Sequence, residues 1–222
     1  MIKQDTINTH IKFKVKKEKK IYTMTTASTM NISITKRDGR KEHLDINKIH
    51  FVVEEACENL PGVSASQIEM NANIQFYDGM TTKDIQNVLV RSANDLITLE
   101  TPNYQYAAAR LLLYDIRKEA HGQYEYMPLL KLIFRNVRSG VYDKEIIEKY
   151  TKTEIKKLNS WIRRERDLKF TYAGLRQVVD KYLVQDRSSG QLYETPQDMY
   201  MMIAATLFAD YPEKTRLSYI KK

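Results

Sequence analysis

Residues 31–44, NISITKRDGRKEHL, decide how the front of this chain is read. Ile32 and Ile34 alternate with polar residues, and Asp38-Gly39 follows as a two-residue turn. A type I′ turn needs positive φ at both central positions, which Asp-Gly supplies, so the segment predicts a β-hairpin. Lys36, Arg37, Arg40 and Lys41 crowd its tip.

A helix is expected next, over about 46–60. Asp45 or Asn47 can cap it, and Ile46, Ile49, Val53, Ala56 and Leu60 share one apolar face. Pro61-Gly62 ends it. Ser64 with Gln67 has the form of a capping box for a helix to about Phe76, and Thr81 with Asp84 repeats that form. Ile85, Val88, Leu89, Leu96 and Ile97 point inward from the second of these. Thr101-Pro102 supplies a cap and a first-turn proline for a helix to about Glu119, closed by Gly122. One hairpin and four helices make a compact α+β unit.

Beyond Gly122 the pattern is almost entirely helical, with helices expected over about 127–138, 143–149, 152–163, 171–180 and 195–209. Residues 181–195, KYLVQDRSSGQLYET, interrupt it with two small strands around Ser188-Ser189-Gly190. Residues 199–208, MYMMIAATLF, are apolar nearly all round, which predicts burial on every side. A last helix starts near Glu213 and reaches Lys222 with no stop signal. The fold class is therefore mainly α, with an α+β module in front of an all-helical segment that holds a small β-hairpin. The expected boundaries are a basic, disordered leader at 1–29, the first module at 30–122 and the helical segment at 123–222. Met24 and Met30 are possible alternative starts to Met1.

Composition narrows the function. The chain has 222 residues and a formal net charge of +8. Residues 1–29 hold Lys3, Lys12, Lys14, Lys16, Lys17, Lys19 and Lys20 against Asp5 and Glu18, which is 7 − 2 = +5. The other 193 residues keep 8 − 5 = +3, so the basic character belongs mostly to the leader. Cys57 is the only cysteine, which rules out an internal disulfide, a dithiol pair and any multi-cysteine zinc site within these residues. His10, His43, His50 and His121 show no metal-ligand spacing, so no metal site is expected. No apolar run approaches the ~20 residues needed to cross a bilayer, and the basic start lacks an apolar core for a secretion signal. The expected location is cytoplasmic, with no membrane and no specific nucleic-acid partner. No glycine-rich phosphate loop, nucleophile elbow or assembled triad appears, so no catalytic residue is assigned.

The strongest chemical signal is the basic hairpin tip followed by a helix start. Free N–H groups and the partial positive charge of a helix N-terminus favour anions, and lysine and arginine add charge-assisted hydrogen bonds. A polyphosphate fits that description; a solvated charged tip is the competing reading. Lys118, one turn after Tyr114, reaches the same place only if its helix packs beside the hairpin.

Residues 31–122 resemble the ATP cone, the regulatory module at the front of many ribonucleotide reductases. The matching strings are ITKRDGR (34–40), LDINKIH (44–50), IQFYDGMTTKDI (74–85) and TPNYQYAAARLLLYDIRKEAHGQYE (101–125). The resemblance continues into the all-helical N-terminal part of the class I large subunit through GVYDKEIIEKYT (140–151), RERDLKFTYAG (164–174), KYLVQDRSSGQLYETPQ (181–197) and YPEKTRLSYIKK (211–222). It implies a site for ATP or dATP, with magnesium, acting as allosteric effector. Lys36, Arg37 and Lys48 would meet phosphate. Glu42, His43, Leu44, Asp45, Ile46, Asn47 and Lys48 would line the nucleotide, while Ile34 and Ile49 would pack on its base or sugar. Thr82 and Lys118 would complete the phosphate side, with Tyr114 as an aromatic wall. Gln86 stands where relatives often place a histidine.

The same resemblance implies partners. The family's chemistry uses cysteines in a barrel and at a C-terminus, and Cys57 matches none of them. No redox cofactor is expected in this chain. It would act with a C-terminal chain or segment carrying the barrel and with a radical-generating small subunit, as a split or truncated large subunit of ribonucleoside-diphosphate reductase. A free-standing ATP/dATP-sensing regulator is the alternative, although cone-bearing repressors carry a four-cysteine zinc ribbon that one cysteine cannot form.

Overall fold

The structure is a computed structural model that describes residues 32–222. The leader at 1–29 and the candidate starts lie outside the described residues.

The hairpin forms as expected, with a different turn. Strand β1 (Ser33–Thr35) pairs antiparallel with β2 (Lys41–His43), placing Ser33 opposite His43, Ile34 opposite Glu42 and Thr35 opposite Lys41. Lys36 N–H donates to Arg40 O at 2.8 Å and Gly39 N–H to Lys36 O at 2.9 Å. Gly39 has a φ of +84° and Asp38 does not share the left-handed region. The loop is thus a three-residue turn with glycine in the left-handed position, not the two-residue type I′ turn. Asp38 stays on the ordinary side because its carboxylate caps the turn, accepting from Arg40 N–H at 3.1 Å and Arg40 Nε at 2.7 Å. A third segment completes the ladder: Thr35 N–H donates to Met80 O, and Thr35 bridges Thr81 in parallel.

Helix α1 (Ile46–Cys57) starts at Asp45, whose side chain accepts from Asn47 N–H. It ends three residues earlier than expected, and Ile46, the first residue of the helix, is exposed rather than on the buried face with Ile49, Val53 and Ala56. Helix α2 (Ala65–Asn73) has only half of its expected capping box. Ser64 Oγ accepts from Gln67 N–H, but Gln67 Oε1 accepts from the buried Tyr104 hydroxyl at 2.6 Å instead of closing the box. Helix α3 (Thr82–Asn94) has the full Thr81–Asp84 box and buries Ile85, Gln86, Leu89, Val90, Ser92 and Ala93. Leu96 and Ile97 fall past its end, and Ile97 is exposed.

Helix α4 (Tyr104–His121) is the central element. Thr101 does not cap it; Thr101 Oγ1 donates back to Leu96 O, and Asn103 takes the cap position. The small side chains Ala107, Ala108 and Ala109 let neighbours approach, and α4 packs against α1, α3, the 3-10 turn Arg164–Lys169 and α8 (Tyr172–Lys181). Gly122, with φ +71°, closes it as expected. The core around α4 is continuous from Ile32 to Met199 and includes Leu175, Val178, Leu183 and Leu192.

A second apolar cluster joins α5 (Leu129–Arg138), α6 (Glu145–Lys149), α7 (Lys152–Trp161), α9 (Pro196–Leu207) and α10 (Glu213–Lys221) through Leu132, Ile133, Ile146, Ile155, Leu158, Ala205 and Leu217. The expected strands at 181–195 reduce to one antiparallel bridge, Gln185 to Leu192. Helix α9 departs from its expectation of all-round burial. Met199 and Ala205 are buried, but Tyr200 is 47%, Ile203 49% and Leu207 69% exposed, because the described residues cover only one side of it. A groove of about 500 Å³ runs beside this face, lined by Tyr142, Ile146, Tyr182, Met202, Ile203 and Leu207.

Asp167, in the 3-10 turn, is 1% exposed. Its Oδ1 accepts from Gln197 Nε2 at 3.0 Å, while Oδ2 has no partner among the described residues. Burial pushes its carboxyl up to about 6, against the lowering from Gln197 and Arg164. Between that value and the unfolded value of about 4, the folded chain holds a proton that the unfolded chain has released, so this residue's contribution rises as pH falls. Asp167→Asn is expected to stabilise the protein at pH 7.5 by about 1 kcal/mol, less than the two-unit shift would give because an orphan amide replaces the orphan oxygen. Urea unfolding at pH 7.5 and 5 should show the gain only at the higher pH.

Candidate functional site

Hairpin, α1, α3 and α4 converge on one basic face. The parallel bridge at Thr35–Thr81 sets the start of α3 beside β1, and Leu44 N–H bonded to Ile32 O at 2.9 Å sets the start of α1 beside the same strand. The N-termini of α1 and α3 therefore flank the hairpin, and α4 contributes its last turns.

Lys36 Nζ lies 3.0 Å from Glu42, and Glu42 also faces Lys48 at 4.0 Å. Lys48 lies 3.5 Å from Asp45, the cap of its own helix. These pairs are largely exposed, and water screens them. Arg37 Nη2 donates to Asp115 of α4, whose side chain is 10% exposed. Lys83 of α3 reaches Glu119 of α4 at 3.3 Å. Burial raises the Asp115 carboxyl, and the charges of Arg37 and Lys83 oppose that rise.

Lys118 differs from the other cations. It has no acidic partner within ion-pair distance among the described residues, and its one ring contact is Tyr124 at 5.9 Å. Burial lowers its pKa, and the charges of Arg37, Arg117 and Lys36 lower it further, against the opposing charge of Asp115. A half-buried ammonium pressed by three like charges is a seat for an anion.

Of the residues expected at this site, Lys36, Arg37 and Lys118 come together, and Glu42 links them to Lys48. Asp45, Asn47 and Lys48 stand at the exposed start of α1, with His43 and Ile46 exposed beside them and Leu44 partly buried. Thr82 opens α3. Ile34 is 5% and Ile49 8% exposed, so both pack mainly into the core. Tyr114 is 2% exposed and stacks at 5.7 Å on Tyr124 and at 5.1 Å under Arg117. It supports the site from behind and offers no wall surface. Gln86 is buried, and its Nε2 donates to Leu111 O at 2.8 Å, tying α3 to α4. Sequence reading missed Asp115, Lys83 and Glu119. The available signal was the spacing Asp115, Lys118, Glu119, which puts all three on one face of a helix.

Among the described residues no group of three or more His, Cys, Asp or Glu side chains could hold a metal ion. No helix there is long and apolar enough to cross a membrane. Burial pushes the Cys57 thiol up to about 11, which suppresses the thiolate.

Two family models match this chain. The ATP cone domain model matches residues 32–119. The model for the ribonucleotide reductase all-alpha domain matches residues 168–222. Ribonucleoside-diphosphate reductase 1 subunit alpha of Escherichia coli (strain K12) is 44% identical over 192 residues, covering 86% of this chain and 25% of that protein. The alpha subunit of Haemophilus influenzae is 41% identical over 192 residues, with the same coverage of each chain. The alpha subunit of Enterobacteria phage T4 is 43% identical over 183 residues, covering 82% of this chain and 24% of its own. The chain spans about a quarter of the length of the curated relatives it matches. Residues 32–119 thus match the ATP cone and residues 168–222 the ribonucleotide reductase all-alpha domain, in the order in which the N-terminal quarter of these alpha subunits aligns with this chain.

Proposed function

We propose that this chain is the nucleotide-sensing front portion of a class I ribonucleoside-diphosphate reductase large subunit. ATP or dATP binds where the hairpin tip meets α1, α3 and α4. Lys36, Arg37, Lys48 and Lys118 take the phosphates; Thr82 and the start of α1 complete the site. The carrying observation is Lys118, a half-buried cation without an acidic partner among the described residues, set beside Arg37 and Lys36. Magnesium arrives on the phosphates, since the described side chains form no metal cluster of their own.

The domain organisation proposed is a leader at 1–29, the cone at 30–122 and the helical segment at 123–222. Reduction of ribonucleoside diphosphates takes place outside these 222 residues, because the one cysteine, Cys57, lies in the cone with its thiol pushed up. The barrel-bearing remainder of the large subunit, in the same or a second polypeptide, seats against the exposed face of α9. A radical-generating small subunit completes the enzyme. The effector acts by favouring one assembly over another, with a coupling of roughly 1–3 kcal/mol typical of such sites. A free-standing sensor leaves the 168–222 match without a use.

Calorimetric titration of the full chain with ATP and with dATP, each with magnesium, tests the site. One saturable event is expected. No heat and no competition up to millimolar nucleotide would remove the proposal. Reconstitution with a barrel-bearing chain and a small subunit tests the enzyme assignment: effector-dependent reduction of ribonucleoside diphosphate is expected there, and none from this chain alone.

A further inference from the structure

We infer that Asp115 is a built-in competitor of the nucleotide: it occupies Arg37 in the empty protein, and phosphate must exchange with it. The inference rests on the proposed phosphate site and adds a gate to it.

Three observations carry it. First, the pair spans elements, since Arg37 sits in the hairpin loop and Asp115 on α4, 78 residues away. Second, its two ends are unequal. Arg37 is 36% exposed and can turn outward to a ligand, whereas Asp115 is 10% exposed and cannot follow it into water. The other phosphate candidates lean on accessible acids: Glu42 and Asp45 serve Lys36 and Lys48. Third, the charges facing Asp115 are few. They are Arg37 from the loop, Lys83 from α3, and Glu119 and Lys118 from its own helix. Lys83 is already engaged by Glu119, and Lys118 is the cation the phosphate needs.

A phosphate that takes Arg37 and Lys118 therefore strands a buried carboxylate beside Glu119 and the incoming anion. Such a group gains a proton rather than remain charged and unpaired. The carboxyl is already raised by burial while Arg37 holds it, and loss of Arg37 raises it further. Nucleotide binding should draw a proton from solution, and affinity should increase as pH falls from 8 to 6. The device makes the site selective for ligands with enough negative charge to displace an internal carboxylate, a triphosphate over a monophosphate.

The test is calorimetric titration of the full chain with magnesium-ATP in buffers of different ionisation enthalpy, at pH 6.5 and 8. For the wild type, a measurable fraction of a proton per nucleotide should be taken up at pH 6.5. Asp115→Asn keeps the shape and removes the charge; it should bind about tenfold tighter at pH 8 and lose the proton uptake. Arg37→Ala should bind more weakly and also lose most of the uptake, because its Asp115 has no arginine to release. If the wild type binds but Asp115→Asn matches it in affinity and in protons, the gate is wrong and the phosphate site stands. If the wild type binds no nucleotide, the site itself fails.

Discussion

Replacing Asp198 with alanine is expected to remove about 3–5 kcal/mol of stability, the largest effect of any polar substitution proposed for this chain. Asp198 is fully buried in the first turn of α9. Its Oδ2 accepts from Thr195 N–H at 3.1 Å and from Thr195 Oγ1 at 2.6 Å, capping the helix. Its Oδ1 accepts from Arg164 Nη2 at 2.5 Å, and His121 Nε2 lies 3.1 Å from Oδ2. Met127 N–H donates to His121 Nδ1 at 2.9 Å, which leaves the ring hydrogen on Nε2, aimed at the carboxylate. One side chain thus ties the end of α4, the 3-10 turn and the start of α9. Removing it breaks the ion pair of Arg164 and leaves that residue its hydrogen bond to Thr195, the Tyr126 ring 4.4 Å from its guanidinium carbon, and the charge of nearby Asp167. Burial pushes the Asp198 carboxyl up, but the hydrogen bonds from His121 and Arg164 outweigh it and hold the group well below the usual carboxylate range. A depressed folded pKa gives stability that is complete above the unfolded value of about 4 and is lost as pH falls below it. The deficit of Asp198→Ala in urea unfolding should therefore be full at pH 7 and shrink below pH 4, opposite in sense to Asp167. A loss under 1 kcal/mol at pH 7 would show that the three elements hold together without it.

How far sequence alone could reach is visible at particular residues. The Thr81–Asp84 and Thr151–Glu154 boxes act within four residues, so local chemistry decides them; only the first was read in advance. Ser64–Gln67 had the same form and closed only halfway, because Tyr104, distant in sequence, takes Gln67 Oε1. The hairpin was legible from Asp38-Gly39, but its loop length was not, since Arg40 engages Asp38 and keeps it out of the left-handed region. The cations at 36–41 were legible as charges. Their partners were not, because Arg37 meets Asp115 only after α4 has packed beside the hairpin. Alternation marks Ile34 and Ile49 as inward but cannot distinguish a core-facing side chain from a ligand-facing one; most of their surface is in the core. The apolar circumference of α9 was plain, yet which side is covered depends on long-range packing, which buries Met199 and Ala205 and leaves Tyr200, Ile203 and Leu207 exposed among the described residues.

Lys118→Met should weaken nucleotide binding by about 30- to 100-fold, roughly 2–3 kcal/mol, without unfolding the cone. Methionine keeps an unbranched apolar stem of similar length and removes the charge. The other phosphate candidates give up a carboxylate partner when they bind, Lys36 and Lys48 sharing Glu42 and Arg37 holding Asp115, so part of each new contact is offset by the old one. Lys118 makes no ion pair among the described residues that binding would break, and the Asp115 carboxylate faces it only at longer range. In the empty protein its charge is opposed by burial and by Arg37, Arg117 and Lys36, which together outweigh Asp115 and lower its pKa. A lysine with a depressed folded pKa weakens the fold wherever it is protonated in both states. The substitution should therefore leave the ligand-free melting temperature unchanged or raise it. With nucleotide at about 100 times the wild-type dissociation constant, the wild type should gain roughly 2.7 kcal/mol of apparent stability and the variant well under half of that. Opposite signs in the two melts separate a phosphate contact from a structural lysine. A variant that melts lower when empty and shifts as far as the wild type with ligand would assign Lys118 to the fold and leave the site to Arg37, Lys36 and Lys48.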